Sequence, residues 1–292
     1  MSTLLPPPLP DEVHPNPDAG AVQDPAGQDR AAAPRADCVA DSAGGLTFDL
    51  ADLGRPGAAH LLLRLRERQP HARHTETRLP LTPAADGRLR AVLPSSVQLA
   101  EGRWDAYVDQ GDAAPRRLAP GVNDLRSLVD RMPSGTRPHV AVRIPYATKH
   151  GNLTIRAWHR APHAEAGELL IDGAELTVRG RLLGTPFGPA GYAELRARKP
   201  ADGARRVELR ASGGEFGLTV AYADLADAPG IWDLWLLPQG EHGPRARVAR
   251  LLDDVADKKP IFTYPAVRTG TAAVGPYYTR DNDLSLRVTE VD

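Results

Sequence analysis

The 292-residue sequence has a single cysteine, Cys38, so no disulfide can form within the chain. Nothing in it is suited to an oxidising compartment or to a disulfide-stapled scaffold. Long apolar runs are missing too. Residues 59–63, interrupted by His60, are typical of the longest and fall far short of the roughly 20 residues that cross a bilayer. The first residues, Met1-Ser2-Thr3-Leu4-Leu5, lack the basic and apolar regions of a signal peptide. We therefore expect no membrane span and a cytoplasmic location. An excess of one charge is also absent. With 36 Lys and Arg against 37 Asp and Glu, the net charge is −1, which leaves no footprint for nucleic acid or an anionic membrane.

Motifs that carry chemistry are equally scarce. No Gly-rich strand-to-helix turn and no α/β alternation are present to hold a nucleotide sugar. No Gly-x-Ser-x-Gly elbow occurs. The nine histidines show no metal-ligand spacing. His159 and His163 are four apart, but Pro162 prevents a regular helix across them. Asp281-Asn282-Asp283 and Asp253-Asp254 do not meet the pattern of a calcium loop. The segment 253–259 reads as a solvated turn or short helix. We expect no catalytic residue, no metal and no cofactor.

What the chain does have is a repeat. Gly102-Arg103-Trp104-Asp105-Ala106-Tyr107-Val108 returns 128 positions later as Gly230-Ile231-Trp232-Asp233-Leu234-Trp235-Leu236. Further anchors follow at nearly the same offset. Pro115-Arg116 matches Pro244-Arg245 and Asp124 matches Asp253, both at 129. Pro145-Tyr146-Ala147-Thr148 matches Pro276-Tyr277-Tyr278-Thr279, and Leu153-Thr154-Ile155-Arg156 matches Leu284-Ser285-Leu286-Arg287, both at 131. A period this long marks a duplicated domain rather than a solenoid unit.

Within each copy, short runs alternate at period two between turn signals every eight to twelve residues, with hardly any helix. That is the pattern of a β-sandwich. The expected fold is all-β: two tandem immunoglobulin-like β-sandwiches behind a disordered tail. The expected boundaries are a tail at 1–43, a first sandwich at 44–160, a linker at 161–167 and a second sandwich at 168–292. The tail is assigned on composition, because Pro, Ala, Asp and Gly bury too little apolar surface to offset the entropy of ordering. Cys38 would then be an exposed, incidental thiol. The segment 6–10 could dock in a proline-recognising groove, though a solvated leader is the plainer reading.

Apolar neighbours at i±2 make Trp104 and Trp232 core residues. Tyr107 and Trp235 fall on the opposite side of the same strands and are candidate ligand contacts. Tyr146 with His150, and Tyr277 and Tyr278 with Asp281 and Asp283, combine aromatics with polar turns. Such a loop suits carbohydrate, where rings stack and carboxylates accept hydrogen bonds from hydroxyls. The competing reading is a turn that needs Asn, Asp and Gly for its backbone angles.

Arg143-Ile144-Pro145-Tyr146-Ala147-Thr148-Lys149-His150-Gly151-Asn152-Leu153 and Ile231-Trp232-Asp233-Leu234-Trp235 resemble actinobacterial tandem β-sandwich proteins labelled transferases. Similar sandwiches sit behind the catalytic domain of teichoic-acid glycosyltransferases. The resemblance spans residues 44–292 and implies polymer binding or assembly, with a glycan or a glycosyltransferase as partner. It carries no catalytic residue. The expected function is a non-catalytic binding or assembly module. A transferase site in the inter-domain cleft and a protein-interaction scaffold stand as alternatives.

Overall fold

The computed structural model describes residues 4–5, 33–51, 53–54, 57–66, 75–111, 113–129, 131–133, 138–199 and 203–291. In chain order its strands begin with β1 (Leu4–Leu5), β2 (Arg35–Ala40), β3 (Leu46–Leu50), β4 (Ala59–Leu65), β5 (Glu76–Pro83) and β6 (Leu89–Leu93). They continue with β7 (Gly102–Asp109), β8 (Arg116–Arg117), β9 (Ala119–Asp124), β10 (Val140–Ala147) and β11 (Leu153–Arg160). The second half holds β12 (His163–Asp172), β13 (Glu175–Leu183), β14 (Tyr192–Ala197), β15 (Ala204–Val207), β16 (Leu209–Ser212) and β17 (Glu215–Ala221). It closes with β18 (Gly230–Leu237), β19 (Ala246–Ala249), β20 (Ala266–Thr269), β21 (Ala272–Tyr278) and β22 (Leu284–Glu290).

The chain is nearly all β, and its two halves share one topology. In the first, β10-β11-β7-β4-β5 form one layer, and β6-β3-β2-β9 form the other. The end of β5 turns the corner, pairing Thr82 and Pro83 with β6. In the second half, β20-β21-β22-β18-β14-β15 face β12-β13-β17-β16. There β19 pairs antiparallel with β18 and parallel with β12. The first half splits that job, with β8 antiparallel to β7 and β9 parallel to β2.

The register shows the duplication residue by residue. Trp104 stands opposite Leu65 and Ile155, and Trp232 stands opposite Ala197 and Leu286. Each indole Nε1 donates to the carbonyl four residues earlier, to Ala100 at 2.9 Å and to Ala228 at 3.1 Å. Both repeat strands open on a glycine with positive φ, 159° at Gly102 and 150° at Gly230. A Cβ at Gly102 would lie 2.5 Å from the Leu65 Cδ1 atom, so a side chain there would collide with the residue facing Trp104.

Period-two alternation explains the cores. In β7, Trp104, Ala106 and Val108 point inward and are buried, and β18 repeats this with Trp232, Leu234 and Leu236. Two buried clusters result. Trp104, Phe48 and Leu61 belong to the first, and Trp232, Tyr222 and Tyr278 to the second. Ala249 and Leu251 of the second half join the first cluster, so the copies share an apolar seam.

Five expectations need correction. Of the tail expected at 1–43, residues 1–3 and 6–32 lie outside the described residues, but β2 is an inner strand of the first sandwich. Its alternation Ala36, Cys38, Ala40 was hidden by short side chains that carry little hydrophobic signal. Cys38 is therefore buried in the core rather than exposed. Residues 163–167, read as linker, begin β12, and only Ala161 and Pro162 separate it from β11. Arg116, matched in sequence to Arg245, is equivalent to Ala246 instead, because Val108 faces Arg116 where Leu236 faces Ala246; its neighbour Arg117 is the counterpart of Arg247. Finally, residues 253–259 are not a solvated turn. Lys258 is fully buried there, with Nζ 2.6 Å from Asp253 Oδ1 and 2.9 Å from the Val255 carbonyl.

Burial pushes the Cys38 thiol up to about 12. The native protein should therefore resist a thiol-specific reagent such as DTNB at neutral pH and react with one equivalent once unfolded in guanidinium. Rapid reaction of the native protein would place β2 outside the sandwich.

Candidate polar face and docking turn

The outward side of the repeat strand builds the candidate site. Asp105 points away from the core between Trp104 and Ala106, and its carboxylate gathers three partners. Arg66 Nη2 lies 2.8 Å from it, Arg117 Nη2 lies 2.6 Å away, and the Thr154 hydroxyl donates at 2.9 Å. The second copy repeats the arrangement. Asp233 Oδ1 lies 3.0 Å from Arg198 Nη2 and 2.7 Å from Arg247 Nη2, and Ser285 Oγ donates at 2.8 Å. Burial alone would raise Asp233, but hydrogen bonds and charge from Arg198, Arg247 and Ser285 hold it below the usual carboxylate value of 3.8. The two carboxylates are thus tied up in ion pairs, a poor starting point for proton transfer.

Around each carboxylate the sheet sets aromatic residues. Tyr107 and Tyr146 share the outward face of the first front sheet, with Asp105 and Thr154 between their strands. Trp235 and Tyr277 share the corresponding face in the second copy, around Asp233 and Ser285. All four are half-buried. Guanidinium groups lie over three of these rings, Tyr107, Trp235 and Tyr277. Arg64 and Arg117 sit 5.0 and 4.9 Å from the Tyr107 centroid. Arg247 sits 5.2 Å from Trp235, and Arg287 sits 4.9 Å from Tyr277. These stacks fix the rings and cover part of the surface a ligand would use. Tyr107 carries two such guanidinium contacts, and Trp235 and Tyr277 one each.

The other expected contacts lie elsewhere. Tyr278 is fully buried in the second core and offers no ring face to a ligand, because in β21 it alternates inward where Tyr277 alternates outward. His150 is exposed at the turn between β10 and β11, away from the Asp105 cluster in sequence and register. Asp281 and Asp283 occupy the equivalent turn of the second copy, and that turn is docked. Asp281 Oδ1 lies 2.5 Å from Arg156 Nη2, and the Asp281 carbonyl accepts from Trp158 Nε1 at 3.0 Å. Asp283 Oδ1 lies 3.1 Å from Arg160 Nη1, and the Arg280 carbonyl accepts from Arg103 Nη2 at 3.1 Å. The carboxylates expected to meet hydroxyls thus meet β11 of the first sandwich.

Both turns have the same internal geometry. Thr148 N donates to the Asn152 carbonyl, and Thr279 N to the Asp283 carbonyl, each at 2.9 Å. Gly151 at φ 73° and Asn282 at φ 60° supply the left-handed residue. Identical backbones with different side chains explain why one turn docks and the other is free in this chain. Burial raises Asp283 above its usual value, against the pull of Arg160 and Arg247. Burial likewise lowers the Arg156 guanidinium, against the Asp281 charge. Arg156, Arg160 and Asp283 are largely desolvated, so their charges depend on one another, while Asp281 keeps part of its carboxylate in solvent.

Sequence reasoning named the aromatics but missed the arginines and hydroxyls that fix them. The signal was present. Arg117 and Arg247 lie 130 apart and Thr154 and Ser285 lie 131 apart, continuing the offset series, whereas Arg66 and Arg198, ahead of the first anchor, lie 132 apart and fall outside it. Among the described residues, no three His, Cys, Asp or Glu side chains converge as a metal set would, and no helix is long and apolar enough to cross a membrane.

The sequence matches no family model and no curated protein. Among solved structures it is similar to S. aureus TarS, with 14% identity over 63% of this chain and 35% of that one, at a TM-score of 0.32. A structure of TarS 217-571 gives 13% identity over 63% of this chain and 54% of that one, at 0.30. A marsupial T cell receptor gives 9% identity over 73% of this chain and 95% of that one, at 0.20. The chain thus spans about a third of TarS. Matches at these scores do not carry a function.

Replacing Asp281 and Asp283 together with Ala should undock the second sandwich while leaving both folded. Small-angle scattering should then show a larger radius of gyration with unchanged far-UV circular dichroism. An unchanged radius would mean that the apolar seam at Leu251, with the hydrogen bonds from Trp158 and Arg103 to the turn carbonyls, holds the copies together without the two carboxylates.

Proposed function

We propose that this protein is a non-catalytic binding or assembly module that acts with glycosyltransferases of cell-envelope polysaccharide, on the cytoplasmic side. One observation supports the reading above others. In the second copy, Trp235 and Tyr277 stand half-exposed on one sheet face, and the carboxylate between them is held by two arginines and a serine. Such a face offers fixed rings and donors for recognition, with its central carboxylate already committed to ion pairs. The first copy presents the related pair Tyr107 and Tyr146. Two weak contacts on one rigidly docked chain would reinforce one another on a repetitive polymer. The resemblance of the repeat segments to accessory sandwiches of teichoic-acid glycosyltransferases points the same way.

The test is titration of the purified full chain with envelope polysaccharide by calorimetry. We expect weak, saturable binding that falls about ten-fold in Trp235→Ala or Tyr277→Ala, the loss of one ring contact. Both variants should keep the wild-type circular dichroism spectrum. Capture of a glycosyltransferase without glycan binding would select the assembly role. Transfer of a group from an activated donor by the pure protein would refute the non-catalytic reading.

A further inference from the structure

Away from the aromatic faces, the first sandwich has a cavity at its open edge. After β6, the residues Pro94-Ser95-Ser96-Val97 make a tight turn, closed by Val97 N donating to the Pro94 carbonyl at 3.1 Å. The turn folds over the edge strand β10. Arg143, only 3% exposed, secures it by donating from Nη1 to the Pro94 carbonyl at 2.9 Å and from Nη2 to the Val97 carbonyl. On that side of the sheet, Ala141 pairs with His159 and Arg143 with Ala157. Small alanines opposite larger polar groups leave space, and a cavity of about 230 Å³ lies between turn and strands.

Its polar lining is Ser95, Ser96 and Gln98 from the turn side, with His139, Arg143 and His159 from the strand side. The two imidazoles stack with centroids 4.5 Å apart and planes tilted by 31°. His159 Nε2 is buried and has no hydrogen-bond partner. A buried polar atom left unsatisfied costs about 1–3 kcal/mol, so such atoms are few in native proteins and usually have a reason.

We propose that this cavity binds a small oxyanion, carried by a phosphate ester or a carboxylate. The polar lining brings one guanidinium, two imidazoles, two hydroxyls and one carboxamide, and no lining residue is acidic. That set is rich in donors and in positive or potentially positive groups, as an anion requires. His159 Nε2–H supplies the donor that now lacks an acceptor, and the hydroxyls and amide reach the remaining oxygens. The volume lies below the roughly 300–1,000 Å³ of pockets for drug-sized ligands, so the occupant has few atoms. The site is separate from the Trp235 and Tyr277 face and stands or falls independently of it.

The experiment follows the histidine side-chain resonances of the full chain by nitrogen-15 NMR. Inorganic phosphate and acetate are titrated separately, each against chloride at equal ionic strength. The proposal expects saturable shifts of His139 and His159 that chloride does not produce. Saturation by both probes identifies the shared oxyanion chemistry. Saturation by phosphate alone assigns a phosphate ester, and by acetate alone a carboxylate. In His159→Ala, followed through His139, affinity should fall about ten-fold or more, the loss of one charge-assisted hydrogen bond. Ser96→Ala gives a milder variant that retains the stacked rings and should weaken binding less. Absence of saturable shifts with either probe would overturn the proposal. So would wild-type affinity in a His159→Ala protein whose near-ultraviolet circular dichroism shows it folded.

Discussion

Everything in this molecule hangs on one alternating strand, used twice. In β7 and again in β18, a tryptophan points into the core and the next residue, an aspartate, points out. The indole fills the sandwich and binds the carbonyl four residues back. The carboxylate cannot sit on a crowded sheet face without partners, because a desolvated charge must be matched. It therefore draws an arginine from the flank of the preceding sheet strand, another from the strand that crosses to the second layer, and a hydroxyl from the last strand. Four segments distant in sequence are pinned around one group. With Trp at i and Asp at i+1, apolar packing and polar pinning act on opposite faces of the same backbone.

Duplication preserved this arrangement and changed what surrounds it. The docked turn carries Asp281 and Asp283 where the first copy has His150 and Asn152. The strand that receives it carries Arg156, Trp158 and Arg160 where the second copy has Arg287, Thr289 and Val291. Acidic turn and basic strand each occur in the copy that needs them, so the turn-to-strand joint forms once, between first strand face and second turn. Trp158 lies on the outward side of β11 and would be an exposed indole in an isolated first sandwich. It is buried because the second sandwich covers it.

The sequence made the repeat strand, the hairpin that closes each copy and the inward tryptophans legible. Those features depend on alternation and on residues with strong side-chain signatures. Where side chains are small, alternation fades, as at Ala36-Asp37-Cys38-Val39-Ala40, and β2 was lost to a compositional reading of the tail. The candidate site was half legible. Tyr107, Tyr146, Trp235 and Tyr277 fall on outward faces as period two requires, whereas Tyr278 was counted with its neighbour although it alternates the other way. Asp281 and Asp283 looked like ligand groups because their partners, Arg156 and Arg160, lie more than a hundred residues away. No local pattern reveals a contact between two domains. Arg117 and Arg247 were within reach, because their spacing continues the repeat, but charged residues on a β-surface read as solvated until a buried partner is known.

The central claim is that one aspartate in each copy pins its sheet through the crossing arginine. A double-mutant cycle measures this directly, using Asp233→Asn, Arg247→Gln and the double variant, with urea unfolding of each. The same cycle on Asp105 and Arg117 serves as the internal repeat. Coupling of about 1–3 kcal/mol in both copies is the expected result for charges in one hydrogen-bonded network. Additive losses in both copies, with no coupling between aspartate and arginine, would show that the clusters decorate a fold that the tryptophans alone hold together.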